Sequence, residues 1–105
     1  MRLISTKILR EFWEKHPDSK DALQAWANAV AEANWGQPAD IKRAYQSASI
    51  LKNRRVVINI HGNRYRLIVA IAYQSGIVFV KFIGTHAAYD AVNAETVEPQ
   101  IRSTR

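Results

Sequence analysis

At 105 residues, 48% of them hydrophobic, the chain is sized for one compact domain with a real core. It has no cysteine, which excludes disulfide frameworks and cysteine-based zinc sites, and its opening Met1-Arg2-Leu3-Ile4-Ser5 holds no apolar run long enough for a signal peptide or membrane span. With 15 Lys and Arg against 9 Asp and Glu, a net charge of +6, the expectation is a soluble cytoplasmic protein that meets a polyanion, nucleic acid before any other.

Ser5 or Thr6 is placed to cap a first helix, in which Ile8, Leu9, Phe12 and Trp13 recur at helical spacing. His16-Pro17 ends it, because the residue before a proline is driven out of the helical region; His16 then sits at the negative end of the helix dipole. Asp18 is expected to cap a second helix, with Asp21 near its positive end and an apolar stripe of Leu23, Trp26, Ala27, Val30 and Ala33. Gly36 and Pro38 stop that helix, and a short helical turn follows Pro38 with Ile41 and Tyr45 on one side. Trp13, Trp26 and Trp35 are read as core residues.

The period then changes. Residues 55–60, 64–73 and 77–83 are rich in β-branched and aromatic side chains and read as strands, separated by turns at Gly62-Asn63 and Ser75-Gly76. Leu3-Ile4 is a candidate edge strand. Thr85 is placed to cap a last short helix from His86 to about Ala91, and a polar tail, flexible by expectation, runs from Glu95 to Arg105. The prediction is a single α+β domain over residues 1–105: two N-terminal helices packed on a mainly antiparallel sheet, with a short C-terminal helix.

Two-residue turns fix a register. Ile60, Ile58 and Val56 face Tyr65, Leu67 and Val69, and in the next hairpin Val69, Ile71 and Tyr73 face Phe82, Val80 and Val78. That face is apolar throughout and is assigned to the helices. The other face carries Arg55, Asn59, His61, Arg64, Arg66 and Lys81 among Val57, Ile68, Phe79 and Ile83, a mixed surface suited to a partner.

The segments 54–60 (Arg54-Arg55-Val56-Val57-Ile58-Asn59-Ile60) and 62–68 (Gly62-Asn63-Arg64-Tyr65-Arg66-Leu67-Ile68) resemble the central hairpin of HigB-family toxins. Val80-Lys81-Phe82-Ile83-Gly84-Thr85-His86 followed by Tyr89-Asp90 is similar to that family's closing strand and its Thr-His-x-x-Tyr-Asp signature. Phe12-Trp13-Glu14-Lys15-His16-Pro17-Asp18 and Ala48-Ser49-Ile50-Leu51-Lys52 match as well, so the likeness spans residues 1 to about 97. Ala88 and His61 depart from the usual acidic residue and the usual Lys or Gly. The resemblance implies a RelE-like fold and ribosome-dependent cleavage of mRNA. It also implies neutralisation by a HigA-type helix-turn-helix antitoxin, with operator DNA contacted only through that antitoxin. No membrane partner is expected.

Metal-free RNA cleavage needs a base for the ribose 2′-OH, cations for the charge on the phosphate, and an acid for the leaving 5′-oxygen. His86 is the first candidate, an imidazole of the right titration class at a strand-to-helix junction. Arg66 offers a planar donor fork to the scissile phosphate, with Lys81 as a further cation. Tyr89 is a candidate proton donor or stacking ring, and Asp90 is placed to orient an imidazole. Lys52, Arg54, Arg55, Asn59, His61 and Arg64 are candidates for gripping messenger or ribosomal RNA. Three scattered histidines without cysteine offer no metal-ligand spacing, and neither a metal nor a cofactor is expected. A non-catalytic RNA- or ribosome-binding module would explain charge and mixed face equally well; a protein that binds only a partner's acidic, apolar segment is the third reading.

Overall fold

A computed structural model describes residues 1–99. In chain order they form β1 (Arg2–Ile4), α1 (Thr6–Lys15), a single 3-10 turn (Pro17–Ser19), α2 (Lys20–Glu32), α3 (Pro38–Ala44), β2 (Ser49–Ile50), β3 (Arg55–Ile60), β4 (Tyr65–Ala72), β5 (Ile77–Thr85) and α4 (His86–Asp90). The sheet order is β1-β5-β4-β3-β2, antiparallel except that β1 runs parallel to β5. This is the expected α+β architecture, with β2 added as a two-residue edge strand.

The apolar stripes of α1 and α2 land where their spacing sends them. Leu9, Leu23, Trp26 and Val30 are buried against Val56, Ile58, Leu67, Val69, Ile71, Val78 and Val80. Each such aliphatic side chain contributes about 2 kcal/mol by leaving water. Trp26 and Trp35 are buried and Trp13 packs against the cluster.

The helix starts differ from expectation. Ser5 stands at the α1 N-cap with φ 73°, a left-handed backbone that turns the chain out of β1, and neither it nor Thr6 caps the helix through a side chain. Asp18 does not cap α2; it lies inside the 3-10 turn, with Ser19 at the cap position and no side-chain cap. Asp18 instead accepts a hydrogen bond from the Tyr65 hydroxyl at 2.6 Å, a charge-assisted bond that outcompetes a backbone N–H.

The β3–β4 register is as expected, Ile60 opposite Tyr65, Ile58 opposite Leu67 and Val56 opposite Val69. The β4–β5 register is not. The turn takes four residues, because Ala72 pairs with Ile77, so Val69 faces Val80 and Ile71 faces Val78. Lys81 is then an extra residue, a bulge between the Val69–Val80 and Ile68–Phe82 pairs. Beyond it the faces exchange: Ile83 joins the core and Phe82 moves to the outer face, the reverse of the sequence-based assignment.

The outer face is also less open than expected. Val57 and Ile68 are buried, and Arg55 is only 5% exposed. After α4 the chain returns across this face. Asn53 Nδ2 donates to the Glu95 carbonyl at 3.0 Å, and Arg55 donates to the Val97 carbonyl and to the Glu98 carboxylate. The last part of the expected tail, residues 100–105, lies outside the described residues.

Candidate functional site

The β3–β4 hairpin tip and the β5–α4 junction meet at one end of the outer face. Thr85 ends β5 and caps α4 as expected, its Oγ1 accepting from the Ala88 N–H at 3.2 Å. His86 is therefore the first residue of α4, exposed beside the tip. Across the sheet Arg66 lies opposite Gly84. A Cβ on Gly84 would come within 2.6 Å of the Phe82 ring and 3.1 Å of the Ala88 Cβ, so the absent side chain is what lets ring and helix close over the strand.

Three side chains converge here. The backbone carbonyl of Asn63 accepts from His86 Nε2 at 2.5 Å and from Arg66 at 3.3 Å. The Arg66 guanidinium also lies 6.0 Å from the centre of the Tyr89 ring, within cation–π range. A carbonyl only accepts, so Nε2 carries the hydrogen and, in the neutral ring, Nδ1 keeps the lone pair. Among the described residues Arg66 forms no ion pair. Asp90, expected to orient an imidazole, is not the group bonded to His86; the Asn63 carbonyl orients that ring. Sequence reasoning had no means of finding it, because a backbone atom has no residue signature.

The other side of the hairpin tip is tied to the helices. Tyr65, Arg64 and His61 all turn to Asp18, with Arg64 Nε at 3.3 Å and His61 Nε2 at 3.9 Å. The Tyr65 hydrogen bond, with Arg64 and His61 behind it, holds the Asp18 carboxyl below its usual range, and the same bond pushes the Tyr65 phenol up. The His16 ring stacks on Phe12 at 4.3 Å and meets the edge of Tyr65 at 5.5 Å. His61 and Arg64, expected on the outer face, thus brace the tip from the helix side. Asn59 is 3.5 Å from the Ser47 hydroxyl and borders a cavity of about 310 Å³ shared with Trp26, Tyr45 and His61.

The remaining candidates gather at the opposite end of the outer face. Lys81 Nζ donates to Glu98 Oε1 at 2.7 Å and lies 5.5 Å from the Phe79 ring, while Arg55 binds Glu98 Oε2 at 2.8 Å. Lys81, then Arg55, hold the Glu98 carboxyl below its usual range. Lys52 and Arg54 are exposed in the loop before β3, where Asn53 and Arg54 take φ values of 61° and 59°. The structure therefore groups His86, Arg66 and Tyr89, and places Lys81 with Arg55 instead. Among the described residues no three His, Asp or Glu side chains gather to hold a metal ion.

Comparison with known proteins bears on what this arrangement does. The model of the HigB_toxin family, described as the RelE-like toxic component of a toxin–antitoxin system, matches residues 19–92. The chain is 29% identical over 96 residues to the mRNA interferase toxin HigB of Escherichia coli K12, covering 90% of this chain and 92% of that protein. It is equally similar to the mRNA interferase HigB of Shigella flexneri. The mRNA interferase HigB of Escherichia coli O6:H1 is 29% identical over 92 residues, 86% of this chain and 89% of its own length.

Proposed function

The chain belongs to the HigB family of RelE-like toxins, and from that premise we propose that it is an endoribonuclease that cuts mRNA on the ribosome, with His86, Arg66 and Tyr89 as its catalytic residues. The observation that supports this reading is that His86 and Arg66 meet at the Asn63 carbonyl, with the Tyr89 ring beside the Arg66 guanidinium.

In this proposal Nδ1 of neutral His86 takes the proton from the ribose 2′-OH, since Nε2 is committed to Asn63. The 2′-oxygen attacks the adjacent phosphorus, and the bond to the 5′-oxygen breaks in line. Arg66, whose fork is only partly used, holds the phosphate as negative charge builds on it. Tyr89 gives its proton to the leaving 5′-oxygen. No metal enters this scheme. Groups this weak suffice if the ribosome holds the messenger in place, because positioning alone is worth about 7 kcal/mol or more. Lys81, bonded to Glu98 and apart from His86, acts on the RNA backbone in this proposal, together with Lys52, Arg54 and Arg55. Asn59, His61 and Arg64 contact RNA around the hairpin tip. A HigA-type antitoxin is the proposed neutralising partner, and operator DNA is met only through it.

The test is expression in cells with mapping of RNA ends. Growth arrest with new ends in translated messages is expected, and both should vanish in His86→Ala and Arg66→Ala variants that remain folded. Arrest with intact transcripts would instead favour the non-catalytic RNA-binding module.

A further inference from the structure

The Glu98 carboxylate sits where the topology makes a cation site. Arg55 on β3 pairs with Ala70 of β4, and Lys81 on β5 is the bulge residue beside Ile68 and Val69. A carboxylate that bonds both must lie over β4 on the outer face. Its two oxygens divide the work, Oε2 to Arg55 at 2.8 Å and Oε1 to Lys81 at 2.7 Å. One negative charge over two oxygens on a single atom, one oxygen to each cation, is also what the non-bridging oxygens of a phosphodiester present.

Arg55 cannot stand alone. Its side chain is 6% exposed while that of Glu98 is 59% exposed, so the guanidinium is a buried charge held by a surface anion. A buried cation needs an anionic partner, and the partner at the surface is the exchangeable one. The bulge contributes too: the extra residue is what turns the Lys81 amine to the same anion as Arg55. The site lies four β4 residues from Arg66, about 13 Å along the strand, within reach of the same RNA strand.

We propose that Arg55 and Lys81 form a second phosphate-binding subsite, which the chain fills with its own Glu98 until an RNA backbone phosphate displaces it. This rests on the RNA-cleaving reading and adds to it a competition within the molecule. The strap over residues 93–98, anchored through Asn53 and the Val97 carbonyl, keeps the carboxylate at high local concentration, so RNA must outcompete a tethered anion.

The experiment titrates the full chain with a short single-stranded RNA at several salt concentrations. Glu98→Gln keeps the shape of the side chain and removes its charge. It should tighten RNA binding about threefold to tenfold and steepen the salt dependence, by about 0.7 in log K per log salt for each additional phosphate neutralised. Glu95→Gln alters net charge equally but leaves the subsite alone, and should bind as the unaltered chain does. Replacing Arg55 and Lys81 with Met in the Glu98→Gln background should erase the tightening. Equal tightening by Glu95→Gln, or tightening that survives loss of both cations, would overturn the proposal in favour of bulk charge. So would unchanged affinity in Glu98→Gln. If new RNA ends still form in cells while Glu98→Gln changes nothing in the titration, the subsite alone fails; if no new ends form in cells, the cleavage reading fails.

Discussion

The two ends of the outer sheet face hold similar residues in opposite electrostatic states. At the hairpin-tip end, Arg66 and His86 lean on a neutral backbone carbonyl, and the cation keeps its charge for an incoming group. At the strap end, Arg55 and Lys81 already share the single carboxylate of Glu98. The count of basic residues says nothing of this difference. What a cation can do for RNA depends on whether the fold has already given it an anion.

The largest expected effect breaks the comparison at its open end. His86→Ala or Arg66→Ala should lower cleavage by about a hundredfold or more, as loss of a general base or charge-stabilising donor does, measured as RNA end formation in translating extract. Arg55→Met should leave the chemical step intact and instead cost about 1–3 kcal/mol of stability, through lost buried hydrogen bonds, in a denaturant titration. If Arg55→Met abolishes cleavage as fully as His86→Ala does, the division into two ends is wrong. Gly84→Ala joins the regions, because Phe82 and α4 must both retreat from the new methyl group. It should destabilise by about 1–2 kcal/mol and reduce cleavage at the same time, by shifting the residue that follows Thr85.

The smallest effect sharpens the contrast through pH. Glu98 titrates below its ordinary value of 4.5, so its contribution is complete above 4.5 and is lost as pH falls through the lowered value. Asp18 follows the same rule below 3.8. Tyr65, raised above 10.0, runs the other way: its contribution is complete below 10.0 and disappears as pH climbs through the raised value. The acid limb of the stability profile should be shallower in Glu98→Gln than in the unaltered chain, and the alkaline limb shallower in Tyr65→Phe. An unchanged acid limb in Glu98→Gln would mean the strap contributes nothing.

Much of the fold was readable because hydrophobic alternation has a sharp period. In β3 and β4 a slip of one residue would expose Ile58 and Leu67, so the register follows from the sequence. In β5 the same argument loses its force. Phe82 and Ile83 are both apolar, so a bulge at Lys81 exchanges one for the other without breaking the pattern. Gly84 was the remaining hint, as a glycine inside a strand signals close approach by another group. At the site, His86, Arg66 and Tyr89 carried recognisable chemistry and meet in space. The Asn63 carbonyl and the Glu98 partnership had no signature in the sequence. Asp18 misled because a carboxylate before a helix serves equally as a cap or as an acceptor for a distant phenol, and only the tertiary fold decides between them.

The parallel pairing of Leu3 with Val78 has a consequence for synthesis. Of the sheet's strands, the first to leave the ribosome must wait for the last before the sheet can close, and His86 emerges later still. A growing chain therefore has neither a finished scaffold nor the His86 imidazole beside the hairpin tip. If the proposed cutting centre is right, a chain still being translated lacks it until α4 has been made, and products that stop short of α4 should be inert.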